Sequence, residues 1–218
     1  MHYEVLEEKT RKIFEKFSFL KENFYLAGGT ALALQIGHRK SIDLDFFSDE
    51  PIKKTLLKTI ESKIKTADSV VVNNKKELTF YIESIKVTFL HYPFSHKHFS
   101  VKNNIFPLAS IPEIASMKAY ALGRRAALKD YVDLYFILSL GMTTLMSIIA
   151  DATEIYQDAF NDRLFCEQLL STEDSDDESI IWIAKEVSKA EMKIFFSNLI
   201  AKEKNQILEM EDSRLHPK

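Results

Sequence analysis

The sequence has almost no cysteine, few glycines and prolines, and no large excess of charge of either sign. Its single cysteine, Cys166, excludes an internal disulfide and fits a reducing compartment. No His or Asn signature surrounds this thiol, so a buried, inert side chain is favoured over a nucleophile. Five glycines and five prolines leave little material for linkers. The formal net charge of -3 excludes nucleic-acid coating by overall charge, so any such contact needs a local basic patch.

Long apolar runs are also lacking. The longest stretch without a charged residue is 134–150, which is slightly short for a membrane span and is interrupted by Gly141 and by hydroxyl side chains. This pattern predicts two core helices that meet at Gly141. The N-terminal segment is charged and has no apolar core of the kind found in signal peptides. We therefore expect a cytoplasmic protein without a membrane partner.

What the chain does contain is two halves with different periodicity. Up to about residue 108, short apolar and β-branched runs alternate with helical segments, and strands are predicted at 24–27, 42–47, 69–72, 78–83 and 85–92. From Pro112 onward the periodicity is helical, and the last stripe predicts a helix over 179–203. Sixteen phenylalanines should fill much of the core. The prediction is an α+β protein, with a mixed sheet flanked by helices in 1–108 and a helical domain in 109–218.

A glycine pair, Gly28-Gly29, separates the first predicted strand from a short helix that begins at Thr30. Glycines let the backbone approach a ligand closely, and the following helix start offers N–H groups and a positive dipole end to a phosphate. Thr30 either caps this helix or binds a phosphate oxygen. Considered alone, a Gly-Gly pair is more often only a turn.

Two aspartates, Asp43 and Asp45, alternate with apolar residues in the second predicted strand. Side chains alternate between the faces of a strand, so Ile42, Leu44 and Phe46 should face the core while both carboxylates share the other face. Such a pair of hard oxygen ligands suits Mg²⁺ whose shell is completed by phosphate oxygens. An isolated pair at this spacing is more often two solvated acids. Beside a phosphate-binding turn, however, the pair favours phosphoryl or nucleotidyl transfer.

The segments LAGGTALAL and RKSIDLDFF resemble the nucleotidyltransferase-like AbiEii/AbiGii toxin family of the DNA polymerase β-like superfamily. The resemblance continues in IPEIASMKAYALGRRAALKDYVDLYFIL, through a helical Lys, an Arg-rich turn and a Lys-Asp-x-x-Asp pattern. It covers about residues 24–48 and 111–138. It implies a nucleotidyltransferase-like sheet domain whose active-site cleft is completed by the helical domain.

The resemblance also implies roles for individual residues. Asp43 and Asp45 would bind Mg²⁺, Lys118 would contact the nucleotide phosphates, and Asp130 would complete the catalytic site as a base or through hydrogen bonds. The residues implied in nucleotide binding are Gly28, Gly29, Thr30, Ser41, Lys118 and Arg124. From the residues alone, Lys118 is equally well explained as a solvated lysine, and Arg124, Arg125 and Lys129 as cations favoured at a helix end.

One departure from the superfamily pattern bears on activity. Many relatives carry a third carboxylate on a later strand, and the corresponding position here is Thr88. The resemblance implies a Mg²⁺-dependent transfer of NMP from an NTP to a hydroxyl, with tRNA or another RNA as acceptor, and an antitoxin protein as partner. Two alternatives remain open: a nucleotide-binding module that acts through its antitoxin, and a transferase for a small molecule such as an antibiotic.

Overall fold

A computed structural model of the chain describes residues 1–94, 105–122, 124–125, 127–176 and 179–215, and of 204–215 only the backbone. Five strands and eight helices lie within these residues. The strands are β1 (Tyr25–Leu26), β2 (Leu44–Ser48), β3 (Ser69–Asn73), β4 (Glu77–Ile82) and β5 (Ile85–His91). The helices are α1 (Glu8–Lys16), α2 (Gly28–Ile36), α3 (Leu56–Lys63), α4 (Ile111–Leu122), α5 (Leu128–Ser139), α6 (Leu145–Tyr156), α7 (Asp162–Leu169) and α8 (Lys189–Leu215).

The contacts within the chain divide it into two compact units. The first comprises Met1–Ser110 together with Ile180–Lys185, and the second comprises Ile111–Ser179 together with Glu186–Lys218. The sequence placed a boundary between residues 108 and 109. It gave no indication that six residues from the helical half belong with the sheet.

The first unit is built on a mixed five-stranded sheet with the strand order β1-β2-β5-β4-β3. Strands β2 and β5 run parallel, and the other neighbouring pairs are antiparallel. Helix α2, which is apolar almost all round, is buried along most of its length, as its composition predicted. The predicted α+β class is confirmed.

One face of this sheet carries the aromatic core that the phenylalanine content predicted. Phe46 of β2 stacks on Phe89 of β5 with ring centroids 4.9 Å apart, and Phe17 and Phe106 pack against Phe46 at 5.1 and 4.8 Å. All four rings are fully buried. Full burial of such a side chain contributes about 1.5–3 kcal/mol, so this face holds β2 and β5 in register.

The segment that links the two halves of the second unit departs from its prediction. Residues 180–185 are not helical: Trp182 forms an antiparallel bridge with Arg39, and Ile183 N–H donates to His38 O at 3.1 Å. Helix α8 begins only at Lys189, because Ser188 and Glu191 form a reciprocal cap there. Ser188 N–H donates to Glu191 Oε2 at 2.9 Å, and Glu191 N–H donates to Ser188 Oγ at 3.2 Å. The predicted start at 179 is therefore wrong.

The second unit is helical. Two of its helices begin at side-chain caps, where Thr144 Oγ1 accepts from Ser147 N–H and Asn161 Oδ1 accepts from Leu164 N–H. Tyr135 of α5 packs edge-on against Phe195 of α8 at 4.9 Å. Among the described residues, no helix combines the length and the apolar character that crossing a membrane requires.

Candidate functional site

The glycine turn, Gly28-Gly29, forms the first two residues of α2, so the helix begins two residues before the predicted start at Thr30. Gly28 has φ +67°, a conformation that favours glycine, and both Gly28 and Gly29 are half-buried between neighbours that are fully buried. Ala27, the residue before α2, has no polar side chain with which to cap the helix. The first amides of α2 and the positive end of its dipole are therefore placed to bind an anion such as a phosphate.

Thr30 and Ser41 are buried, and their hydroxyl groups bind within the protein. Thr30 Oγ1 donates its single proton to the carbonyl oxygen of Asp43. The contact of 2.7 Å between the Thr30 and Ser41 hydroxyls then requires Ser41 to be the donor. These bonds tie the first turn of α2 to the chain entering β2. These contacts indicate that Thr30 and Ser41 position Asp43, and their predicted role in nucleotide binding stays a prediction.

Asp43 and Asp45 are both half-buried, and Leu44 between them is fully buried. This is the alternation that the sequence predicted, although Asp43 lies one residue before β2 begins. Ile42 breaks the pattern: it is 47% exposed, so its predicted place in the core is wrong. The strand begins only at Leu44, and alternation does not extend into the loop before it.

The carboxylate of Asp45 lies beside the glycine turn. A methyl group placed on Gly28 would lie 3.5 Å from Asp45 Oδ2, and Ala27 N–H donates to the carbonyl oxygen of Asp45 at 3.0 Å. The structure thus brings together the predicted phosphate-binding turn and one predicted metal ligand.

The neighbour of Asp45 on β5 is Thr88, which lies directly opposite it in the parallel register and is buried. Thr88 Oγ1 lies 3.4 Å from Thr79 Oγ1 of β4. Across the described ranges, no three His, Cys, Asp or Glu side chains are arranged to hold a metal ion. The carboxylate that lies beside the turn is that of Asp45. Together with the predicted second ligand, Asp43, it would suit a hard divalent cation when phosphate oxygens and water complete the shell.

A second group of predicted residues lies within the helical unit. Lys118 Nζ of α4 lies 2.7 Å from Asp130 Oδ1 and 2.7 Å from Asp133 Oδ2, both on α5. Arg125 adds a bidentate contact to Asp130, at 2.7 Å from Nε and 3.0 Å from Nη2. Lys118 and both aspartates are buried, whereas the side chain of Arg125 is 61% exposed. The positive charges of the lysine and the arginine are balanced by the negative charges of the two aspartates.

The protonation of Asp130 follows from these contacts. Burial by itself raises the pKa of the carboxyl, but the charges and hydrogen bonds of Lys118 and Arg125 outweigh burial and hold the pKa below its ordinary value. A carboxylate with a lowered pKa is a poor proton acceptor near neutral pH. Of the two roles implied for Asp130, the geometry favours hydrogen bonding that positions Lys118.

Arg124 has a different environment from Arg125. Its guanidinium lies over the ring of Tyr120, with Cζ 3.5 Å from the ring centroid, and it donates to the carbonyl oxygens of Tyr120 and Ala159. The sequence predicted a nucleotide contact for Arg124, which stays a prediction, and did not predict that Arg125 binds Asp130. The spacing of five residues between Arg125 and Asp130, across a turn that leads into α5, is the signal that could have identified it.

Comparison with known proteins agrees with the fold and identifies the family. The model of the family described as nucleotidyl transferase AbiEii toxin, type IV TA system, matches residues 12–212. An uncharacterized protein of Aquifex aeolicus (strain VF5) is 37% identical over 140 residues, which are 61% of this chain and 67% of that protein.

Two solved structures share the fold. MenT4, a nucleotidyltransferase toxin of Mycobacterium tuberculosis H37Rv, has a TM-score of 0.58 at 17% identity, covering 90% of this chain and 85% of that one. JHP933 from Helicobacter pylori has a TM-score of 0.55 at 17% identity, covering 96% and 99%. At this identity the likeness establishes the nucleotidyltransferase-like fold, while the family model covers most of the chain. The chain therefore belongs to the AbiEii family of type IV toxin–antitoxin systems and is a nucleotidyltransferase.

Proposed function

We propose that the protein transfers NMP from an NTP to a hydroxyl group of RNA, with Mg²⁺ held by Asp43 and Asp45, and that tRNA is the first acceptor to test. The observation that carries the proposal is that the Asp45 carboxylate lies beside the glycine turn, 3.5 Å from the place of a methyl group on Gly28. Phosphate oxygens bound to the first amides of α2 would lie next to a cation on that carboxylate. Positioning and charge neutralisation are the main requirements of this reaction.

In the proposed reaction, the acceptor hydroxyl oxygen forms a bond to the α-phosphorus of the NTP. The bond from that phosphorus to the bridging oxygen of the β-phosphate breaks, pyrophosphate leaves, and the hydroxyl loses its proton. Bound Mg²⁺ would neutralise charge that develops on the phosphate oxygens. Thr30 and Ser41 would keep Asp43 in place, and the amides at Gly28 and Gly29 would hold the triphosphate.

Two further predictions concern Lys118 and the biological setting. The contact of Lys118 with nucleotide phosphates stays a prediction, because in the structure its buried ammonium group is held by Asp130 and Asp133. The cytoplasm is the proposed location, because NTP and RNA are both available there. An antitoxin partner follows from the family, and the proposal leaves its mode of action open.

The test is a transfer assay that follows the label on each phosphate. The full chain is incubated with Mg²⁺, total RNA and each of the four NTPs, labelled either on the α- or on the γ-phosphate. We expect one NTP to label an RNA species from the α-position only, and no labelling by the Asp43→Ala/Asp45→Ala double variant. Labelling from the γ-position would indicate phosphoryl transfer instead. If wild-type protein transfers no α-label to RNA, protein or a small-molecule acceptor, the proposal is wrong.

A second candidate function is favoured by Thr88. A threonine opposite Asp45 leaves the sheet without a third carboxylate at this position, which suits a module that binds NTP and acts through its antitoxin. This function predicts that NTP and Mg²⁺ raise the melting temperature while no labelled product forms. The transfer assay and a thermal-shift titration on the same protein sample separate the two functions.

A change at the glycine turn tests the proposed phosphate site directly. Gly28→Ala should lower the free energy of unfolding by about 1–2 kcal/mol, because φ +67° is unfavourable for a residue with a Cβ. Its methyl group would also lie 3.5 Å from Asp45 Oδ2, in the space assigned to the nucleotide. We therefore expect the thermal stabilisation by Mg²⁺ and NTP to be lost, as measured by differential scanning fluorimetry.

Gly141→Ala is the matched control. Gly141 has φ +65°, and a methyl group there would meet no atom within 4 Å. This variant should show a similar loss of stability and should keep the full stabilisation by nucleotide. Equal nucleotide responses in the two variants would show that the glycine turn is not the phosphate site.

A further inference from the structure

The side chain of Arg124 is the top layer of a three-layer stack in the helical unit. Beneath it lies the ring of Tyr120, with Cζ 3.5 Å from the centroid, and beneath that the buried ring of Tyr156, with centroids 4.1 Å apart and planes inclined by 22°. At 3.5 Å a guanidinium standing on edge would push its nitrogens into the ring. The guanidinium and phenol planes must therefore be roughly parallel.

Two hydrogen bonds hold this guanidinium in its plane. Arg124 Nη1 donates to Tyr120 O and Nη2 donates to Ala159 O, both at 2.7 Å. The first acceptor belongs to α4, and the second belongs to the turn that follows α6. An arginine at a surface is ordinarily free to change rotamer, and a ligand that binds it must order it. Here the fold has already ordered the group.

The stack and the two hydrogen bonds occupy one face and part of the edge of the guanidinium, and Arg124 as a whole is an exposed residue. The face opposite Tyr120 is therefore the one that a planar ligand would use. A fixed, cationic plane of this kind accepts the face of an unpaired nucleobase, as guanidinium and aromatic planes do in proteins that bind single-stranded RNA. A phosphate would instead be bound through the edge, where two donors are already occupied.

We propose that Arg124 stacks an unpaired base of the RNA acceptor. The inference deepens the proposed function, since it rests on RNA being the acceptor, and it assigns to this residue a contact with the acceptor in place of the predicted contact with the nucleotide. The contact is independent of Mg²⁺ and NTP. The contact requires a nucleobase on the RNA and a planar cation on the protein. Attraction between a phosphate and a positive charge is not sufficient for it.

The experiment compares the affinity of the full chain for two eight-nucleotide RNAs by fluorescence anisotropy, with EDTA present and no NTP. One oligonucleotide carries adenines throughout, and the other has the same backbone with abasic sites. We expect wild-type protein to bind the adenine oligonucleotide about tenfold more tightly. Arg124→Lys keeps the charge and removes the plane, so it should lose that preference while the dependence of affinity on salt stays the same.

Arg163→Lys is the matched control, because Arg163 is an exposed arginine of the same unit that pairs with Glu167 at 3.1 Å. It should keep the preference for adenine. The inference is overturned if wild-type protein binds neither oligonucleotide, binds both equally, or if Arg124→Lys keeps the preference. The wild-type comparison needs no variant, so a folding defect leaves the test intact. Wild-type protein that transfers the α-label but shows no preference for adenine would refute this inference alone. Wild-type protein that prefers adenine, with the preference lost in Arg124→Lys, but transfers no α-label would refute only the transferase proposal.

Discussion

Asp130→Asn is expected to lower the free energy of unfolding by about 3 kcal/mol at neutral pH, the lower end of the range for breaking a buried ion pair. Asp130 is fully buried and is contacted by both Lys118 and Arg125. The isosteric amide keeps the volume but leaves the buried ammonium with only one carboxylate, Asp133, among the partners described above. The side chain of Arg125 is exposed and can be solvated in the variant, so the loss of unfolding free energy should stay at the lower end of that range. Urea unfolding followed by circular dichroism measures it.

The effect should depend on pH in one direction. The pKa of Asp130 is lower in the folded protein than in the unfolded chain, where it is about 3.9. The stability that Asp130 contributes is therefore fully present above about pH 4 and is lost as the pH falls through the folded pKa. The difference between wild-type protein and Asp130→Asn should shrink below that pH.

Asp158→Asn serves as the control, because Asp158 is an exposed acid of the same unit. It should change stability by less than about 0.5 kcal/mol. A loss for Asp130→Asn that is equally small, or one that grows below pH 4, would contradict the assignment of this carboxylate as the buried counter-ion of Lys118.

Asp45→Asn is expected to reduce the rate of α-label transfer on the order of a thousandfold, the scale of removing one preorganised charge at a reacting phosphate. Asp45 lies next to the glycine turn, and an amide binds a divalent cation far less strongly than a carboxylate does. Asp43→Asn should show a loss of the same order. Both variants should lose thermal stabilisation by NTP with Mg²⁺.

Asp49→Asn is matched to these changes, since Asp49 is an exposed aspartate one residue beyond the end of β2. It should transfer label at the wild-type rate. If Asp45→Asn transferred label as fast as Asp49→Asn, the carboxylate pair would not be the metal site. The far-ultraviolet spectrum of each variant verifies the fold.

Local signals in the sequence were sufficient to predict the structure of the stretch proposed to carry the chemistry. The strand, the glycine turn, the buried helix and the aspartate pair all lie within residues 25–48, and each is encoded by composition and alternation over a few neighbours. The cap formed by Ser188 and Glu191 was also present as a local pattern. Giving the apolar stripe more weight than this cap produced the incorrect helix start at 179.

Other features depend on which distant segments pair. Arg39 and Trp182 are neighbours in space although 143 residues separate them, and the hydrogen bonds of that bridge replace those of the predicted helix. The choice of Arg125 over Arg124 as the partner of Asp130 likewise depends on how the turn between α4 and α5 directs two adjacent side chains. Periodicity within one window contains no information about either arrangement.

The sequence by itself determined the family, the α+β class and the spacing of the two aspartates, because these depend on residue types and on short-range alternation. Only the tertiary structure decided that Asp45 lies beside Gly28 and opposite Thr88, and that a neutral cluster buries Lys118. Those outcomes are set by strand register and helix packing, which are fixed by the burial of many side chains at once and not by any single segment.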